Sequence, residues 1–272
     1  MGASVPEGAT RPLVQTRRRG WVEPDKAPLA YTAYACSAPV APFAMHFWVI
    51  TWDLVEPYTQ RLVTHPNVNM TISEDFARVA GVVRDGFAQR LSGRGRVVGL
   101  RFRPGGFRPL LRRPVSELTG RFVPIQEMYG AAGAELVRRV LRADDEEAMR
   151  LMERFVLDRE PEPDPLVDEV AALVAMAESD PALTRVDRLA ALAGRSVRSL
   201  QRLFHEYVGV GPKWVIRRFR LHEAAARLAD GLEVAELAAE LGYADQAHLT
   251  RDFTAAVGVP PAAYARSVAG SG

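Results

Sequence analysis

The chain reads as an α+β protein, with a small β-barrel and attendant helices followed by an all-α half built of two helix-turn-helix units joined by a linker helix. Three observations predict this. Short aromatic and β-branched runs separated by turn residues fill the stretch from Ala33 to about Arg103. Helical spacing takes over from Ala131. Beyond Arg185 a helix, glycine turn and helix pattern occurs twice.

In chain order, residues 1–25 carry Gly, Pro and Arg with little periodicity and read as a flexible arm. Their basic cluster, Arg17 to Arg19, has no apolar stretch beside it, so no secretory leader is expected. Strand signals follow at Phe43 to Trp52, Arg61 to Thr64, Val68 to Ile72 and Arg96 to Phe102, a spacing that suits a small barrel or sandwich. After Pro104-Gly105-Gly106, helices are predicted at Ala131 to Leu141 and Asp145 to Leu157.

Glu160-Pro161-Glu162-Pro163-Asp164-Pro165 cannot be helical throughout and marks a boundary. It divides the chain into a first domain over 26–160, a linker over 161–165 and a second domain over 166–272. Helices are then expected at Leu166 to Glu178, Arg185 to Ala193, Ser196 to Tyr207, Lys213 to Ala229, Val234 to Leu241 and Asp245 to Val257.

Composition agrees with this plan. The 272 residues are 48% hydrophobic and 25% charged, enough for two ordinary cores. No long apolar run predicts a membrane span, and the lone Cys36 excludes an internal disulfide or a cysteine-built zinc site, which suits a cytoplasmic protein. The net charge of +2 is nearly neutral. Its distribution is not: Arg185, Arg188, Arg195, Arg198, Arg202, Lys213, Arg217, Arg218 and Arg220 face only Asp187 and Glu206, a local stripe of the kind that meets nucleic acid.

The repeat carries the functional argument. Leu189-Ala190-Ala191-Leu192-Ala193-Gly194, Leu200-Gln201-Arg202-Leu203-Phe204 and Val208-Gly209-Val210-Gly211-Pro212 form one copy. Leu237-Ala238-Ala239-Glu240-Leu241-Gly242, Leu249-Thr250-Arg251-Asp252-Phe253 and Val257-Gly258-Val259-Pro260-Pro261 form the other. The offset is 48 residues for the glycines (242 − 194) and 49 for the arginines (251 − 202).

Gly194 and Gly242 suit the left-handed backbone that ends a helix, and Ser196 and Asp245 suit N-caps of the helices that follow. The pairs Leu200 with Phe204 and Leu249 with Phe253 pin those helices inward. Arg198, Gln201 and Arg202 then face outward in one unit, and Gln246, Thr250 and Arg251 in the other. Arg and Gln are the side chains that pair bidentately with guanine and adenine edges in the major groove. The helix from Lys213 to Ala229 spans roughly 25 Å at about 1.5 Å per residue. With its flanks it could hold two recognition helices about one DNA turn, roughly 34 Å, apart.

The segment from about Val186 to Tyr264 also resembles the C-terminal DNA-binding domain of the AraC family. The resemblance rests on Leu200-Gln201-Arg202-Leu203-Phe204, Gly209-Val210-x-Pro212, Arg220-Leu221-x-x-Ala224, the run from Leu241 to Phe253, and Gly258-Val259-Pro260-Pro261 with Tyr264. Tyr243 stands where the family more often has Phe, and Pro260 where it often has Ser. The resemblance implies contacts to DNA from Arg195, Ser196, Arg198, Ser199, Gln201, Arg202, Lys213 and Arg217, and from Gln246, Ala247, Thr250 and Arg251.

Gly99 to Leu111, Thr64-His65-Pro66 and Pro114 to Leu118 resemble a group of AraC-like regulators whose N-terminal domain is a cupin-like barrel of uncharacterised role. In the wider family such barrels bind a small effector, dimerise, or do both. This resemblance spans Phe43 to Phe155 and brings no ligand with it. Trp48, His65, Arg101 and Arg103 are the candidate effector residues. Arg101, Arg103 and Arg108 read equally as anion binders or as solvated or paired cations, and Gly105-Gly106 reads as a tight turn rather than a phosphate cradle. His46 and His65 lack a second ligand at close spacing, so no metal is expected, and Trp48 and Trp52 read as pocket or as core.

The expected function is sequence-specific DNA binding over two successive major grooves, with no catalytic residues and no cofactor. The expected partner is double-stranded DNA; a small-molecule effector, RNA polymerase and a second copy of the chain are further candidates, and no membrane is expected. The alternative is a DNA-binding module fused to an enzymatic or DNA-repair domain, which would need an activated nucleophile. Cys36 has no base beside it in sequence. A purely oligomerising N-terminal domain is the third reading.

Overall fold

The computed structural model describes residue 22 and residues 27–269. The expected flexible arm over 1–25 lies outside the described residues, Val22 excepted. The strands are β1 (Ala30–Ala35), β2 (Ala44–Leu62), β3 (Asn69–Ser73), β4 (Ala77–Ala80), β5 (Phe87–Phe102) and β6 (Phe122–Pro124). They form one sheet in the order β1-β2-β5-β3-β4-β6, antiparallel at every pairing.

This corrects the expected barrel: β1 and β6 are not paired with each other, so the sheet stays open. It curls instead. The start of β5 swings toward β4 and β6, where Arg78 donates to Gln89 Oε1 at 3.0 Å and the rings of Phe87 and Phe122 lie 5.7 Å apart. Side chains span the gap that a backbone ladder would close in a barrel.

The segment Arg61 to Thr64 is not a separate strand; its first two residues end β2. That strand carries a register shift between Leu54 and Tyr58, where Pro57, lacking an N–H, sits out of the ladder.

The two faces of the sheet differ because side chains alternate. Phe47, Val49, Met70, Ile72, Val79, Val98, Leu100 and Phe102 point to one face and form a core with two helices. These are α2 (Ile125–Arg142), which brings Leu136 and Val140, and α3 (Asp145–Leu157), which brings Met149, Met152 and Val156. A short helical stretch from Ile125 precedes the expected start at Ala131, and the non-helical Gly130 (φ 59°, ψ −139°) kinks α2 between the two. Asp144 caps α3, accepting from the Glu147 amide at 2.9 Å, and Arg96 of β5 binds Asp145 and the carbonyls of Val140 and Ala143. A four-residue helix, α1 (Arg108–Leu111), and a 3₁₀ turn (Val115–Leu118) join the sheet to these helices.

The C-terminal half is all helix: α4 (Pro165–Ser179), α5 (Val186–Leu192), α6 (Val197–Tyr207), α7 (Pro212–Ala229), α8 (Val234–Glu240), α9 (Gln246–Val257) and α10 (Pro261–Ala269). Helices α4 to α7 surround one core, and the end of α7 with α8 to α10 surrounds another. Neither core is purely C-terminal: Val82 belongs to the first, and Val22 and Val63 to the second. No helix among the described residues is long and apolar enough to cross a membrane.

The Pro-Gly-Gly turn docks one half on the other. Gly105 (φ +83°) packs against Val167 and Val170 of α4, and a Cβ at Gly106 would sit 2.0 Å from the Phe43 carbonyl oxygen. Arg103 pairs with Asp168 at 2.8 Å, Arg108 with Glu206 at 2.6 Å, and Thr119 donates to the Gly209 carbonyl at 2.6 Å.

Candidate nucleic-acid interface and ligand cleft

The two repeat copies fold alike. Helix α5 is followed by Gly194 at φ +59°, then by Ser196, whose hydroxyl accepts from the Ser199 amide at 3.1 Å and caps α6. Helix α8 is followed by Gly242 at φ +70°, then by Asp245, whose carboxylate accepts from the His248 amide at 2.7 Å and caps α9. Leu200 and Phe204, like Leu249 and Phe253, are wholly buried. Each inward pair thus orients its helix, leaving Arg198, Gln201 and Arg202 exposed on α6 and Gln246, Ala247 and Arg251 exposed on α9, with Thr250 half-buried.

Among the described residues, the side chains of Arg198, Arg202, Lys213 and Arg251 form no ion pair. Other cations of the stripe are occupied. Arg195 is held by both oxygens of Glu169 on α4, at 2.5 and 2.8 Å, and Arg217 by both oxygens of Asp252 on α9, at 3.1 and 2.5 Å. Arg185 pairs with Asp187.

Arg218 and Arg220 leave the surface altogether. Arg218 stacks on the Trp214 ring at 4.6 Å and donates to the Arg84 carbonyl. Burial lowers its pKa to about 10. Arg220 donates to the carbonyls of Ala177, Asp180 and Pro181, satisfying the C-terminal end of α4 where a cation is also favoured by the helix dipole. The basic stripe of the sequence therefore overstates the free positive surface.

A cleft of about 1970 Å³ lies between the second face of the sheet and helices α4 and α7. The face that lines it repeats a pattern across the strands. His46, Arg101 and Asn69 stand in one row, Trp48, Gly99 and Thr71 in the next, Ile50, Val97 and Ser73 in a third, and Trp52 and Gly95 in a fourth. The glycines make room for the indoles: a Cβ at Gly99 would lie 2.1 Å from Trp48 Cε2, and one at Gly95 would lie 2.3 Å from Trp52 Cζ2. At the rim, the imidazoles of His65 and His222 of α7 stack at 4.3 Å.

Residues 189–267 match the AraC-type model of a helix-turn-helix domain. The C-terminal domain is of the AraC type. Residues 32–124 match a domain of unknown function (DUF6597). Among solved structures, ToxT from Vibrio cholerae O395 shares 15% identity at a TM-score of 0.39, over 82% of this chain and 97% of that one. Unsaturated fatty acid-bound ToxT from strain SCE256 shares 13% at 0.39, over 82% and 96%. At these scores the likeness establishes neither a shared ligand nor a shared arrangement. The chain thus carries a helix-turn-helix domain of the AraC type over residues 189–267, has a mixed α+β fold, and matches a domain of unknown function over residues 32–124.

The AraC-type units bring Arg198, Gln201 and Arg202 together on α6, and Gln246, Ala247, Thr250 and Arg251 together on α9. Ser196 and Ser199 share the first-turn cap of α6, and Lys213 opens α7. Of the candidate effector residues, Trp48, His65 and Arg101 line the cleft. Arg103 does not; it is turned to Asp168 and the Pro42 carbonyl at the docking surface.

Sequence reasoning missed Asn69, Arg78 and Glu178, which also line the cleft. One signal was available. Trp48 and Trp52 have the same four-residue spacing as Gly95 and Gly99, as two strands matching bulk to absence of bulk on one face would require.

Proposed function

We propose that this regulator reads two successive major grooves, α6 entering one and α9 the next, under the control of a small ligand held in the cleft. The observation that carries the reading is the duplicated arrangement of left-handed glycine, side-chain cap and outward-facing Arg and Gln on two helices joined by α7. Helix α7 has 18 residues, hence a length of about 27 Å. That length suits two units spaced near one DNA turn, roughly 34 Å. The cleft supports the second half of the reading because its wall includes α4 and α7, both parts of the DNA-binding domain.

Selection of bound sequences from random duplexes by the full chain tests the first half. Two conserved blocks about one helical turn apart are expected, and a single block would rule out two-groove reading. The alternative of a fused enzymatic domain gains nothing from Cys36, whose thiol is pushed up to about 12 by burial and by Glu153, and so is held in its unreactive protonated form.

A further inference from the structure

The polar row in the cleft faces an acidic group that, among the described residues, comes from α4 across the domain boundary. His46 is the cross-strand partner of Arg101, and Arg101 of Asn69, so three side chains able to donate hydrogen bonds sit side by side on adjacent strands. Arg101 Nε and His46 Nε2 are out of reach of solvent and without a hydrogen-bond partner. Buried polar atoms of this kind are costly to leave unmet. Burial lowers the pKa of Arg101, and the Tyr31 hydroxyl of β1, then Glu178 in the last turn of α4, act against that shift; Glu178 lines the same cleft.

Of the other arginines on the cleft wall, Arg227 is ion-paired, and Arg78, whose Nε also lacks a partner, is held by an amide and by rings. Arg78 is bound to Gln89 and lies over the rings of Phe76 (4.2 Å) and Phe122 (4.5 Å), while Arg227 is bound to Glu223 and Glu240. The row itself offers one positive charge, that of Arg101, which among the described residues is in no ion pair; this suits a monoanion. In the next row the Trp48 indole lies over the backbone at Gly99, packs against the small cluster that includes Trp52 and Val97, and borders the cleft. A flat ring stacks well on an indole. The cleft exceeds the roughly 300–1,000 Å³ of an ordinary small-molecule site, so a ligand of that size would fill one end of it.

We propose that the His46–Arg101–Asn69 row receives the carboxylate of a flat aromatic acid whose ring stacks on Trp48, and that this carboxylate displaces Glu178 as the counter-charge of Arg101. The inference rests on the effector reading above and names both the ligand class and the competitor. Because Glu178 belongs to α4, the exchange removes an attraction between the sheet and the DNA-binding domain.

The test is saturation-transfer NMR on the full chain with benzoate and cinnamate, benzamide as the neutral control and phenyl phosphate as the dianion. Both acids should bind and benzamide should not. Arg101→Gln should weaken benzoate at least about tenfold, a loss of about 1.4 kcal/mol. Glu178→Gln should tighten it several-fold by removing the competitor. Thermal unfolding follows the fold of Arg101→Gln; should that variant fail to fold, Glu178→Gln decides alone.

The proposal falls if neither acid binds the wild-type chain, if folded Arg101→Gln binds benzoate as the wild type does, if Glu178→Gln binds it no tighter, or if phenyl phosphate binds tighter than benzoate. DNA affinity measured with and without benzoate separates the two readings. An acid that binds while leaving DNA affinity unchanged supports the site and removes effector control. Unaltered DNA binding by a chain that takes up no acid removes the site and leaves the regulator.

Discussion

The Arg217 guanidinium meets both oxygens of Asp252, at 3.1 and 2.5 Å, and so ties the linker helix α7 to the second recognition helix α9. Asp252 is nearly enclosed and Arg217 half-exposed. A pair at the surface of a protein is worth about 1 kcal/mol at most, so its importance lies in what it withholds: a cation that the family resemblance assigns to DNA. Asp252→Asn should release Arg217 toward phosphate, raise affinity for any duplex, and steepen the dependence of log K on log salt by about 1. Anisotropy titrations across a salt series measure this. An unchanged slope would mean that Arg217 never reaches the DNA backbone.

Arg202 and Arg251 stand free at equivalent places in the two units. Replacing either by alanine should cost about 1–3 kcal/mol of specific binding if each reads a guanine. The two losses should also map to different blocks of the selected site, Arg202→Ala blurring one and Arg251→Ala the other. Loss of both blocks from a single replacement would point to coupled folding of the units rather than to separate groove reading.

The repeat makes Gly194 and Gly242 a matched pair with one difference. Both are left-handed, so Gly→Ala should cost about 1 kcal/mol at each from backbone strain. At Gly194 the added Cβ meets open space, whereas at Gly242 it would lie 3.1 Å from Thr184 Cγ2. Gly242→Ala should therefore lose more stability in urea unfolding than Gly194→Ala. The reverse order would mean that Thr184 yields at no cost.

His46 gives the fold an acid limit. Burial first, and Arg101 second, push its pKa down from 6.5 to about 4. Between those values the unfolded chain binds the proton and the folded chain does not. Stability is thus fully present above pH 6.5 and declines as pH falls toward 4, by up to about 3 kcal/mol. His46→Gln should remove that part of the pH dependence, read from urea midpoints at about pH 7 and about pH 5. A variant that keeps the wild-type slope would assign the loss to other groups.

What could be read from the sequence was local. A left-handed glycine and a capping Ser or Asp act within a few residues, so both turns and both recognition helices were visible in Gly194 to Phe204 and Gly242 to Phe253. What could not be read depends on distant partners. The sheet stays open because β1 and β6 do not pair, and its curl shows in the meeting of Arg78 with Gln89 and of Phe87 with Phe122. Arg195, Arg217, Arg218 and Arg220 look alike in a list of charges. Glu169, Asp252, Arg84 and the end of α4 are what set them apart. The same holds for Arg103, whose partner Asp168 comes from the other half of the chain.

Val63 and Val82 come from the sheet half yet complete the two helical cores. A DNA-binding half cut free at the proline-rich segment would start with two holes and exposed apolar walls, and each lost side chain of this size is worth about 1.5–3 kcal/mol of burial. The same holds for grafting: a different sensor joined at that point would arrive without these two plugs. Exchange of one half for another is thus closed to this chain unless the helical cores are repacked at the same time. Its two halves have to diverge together.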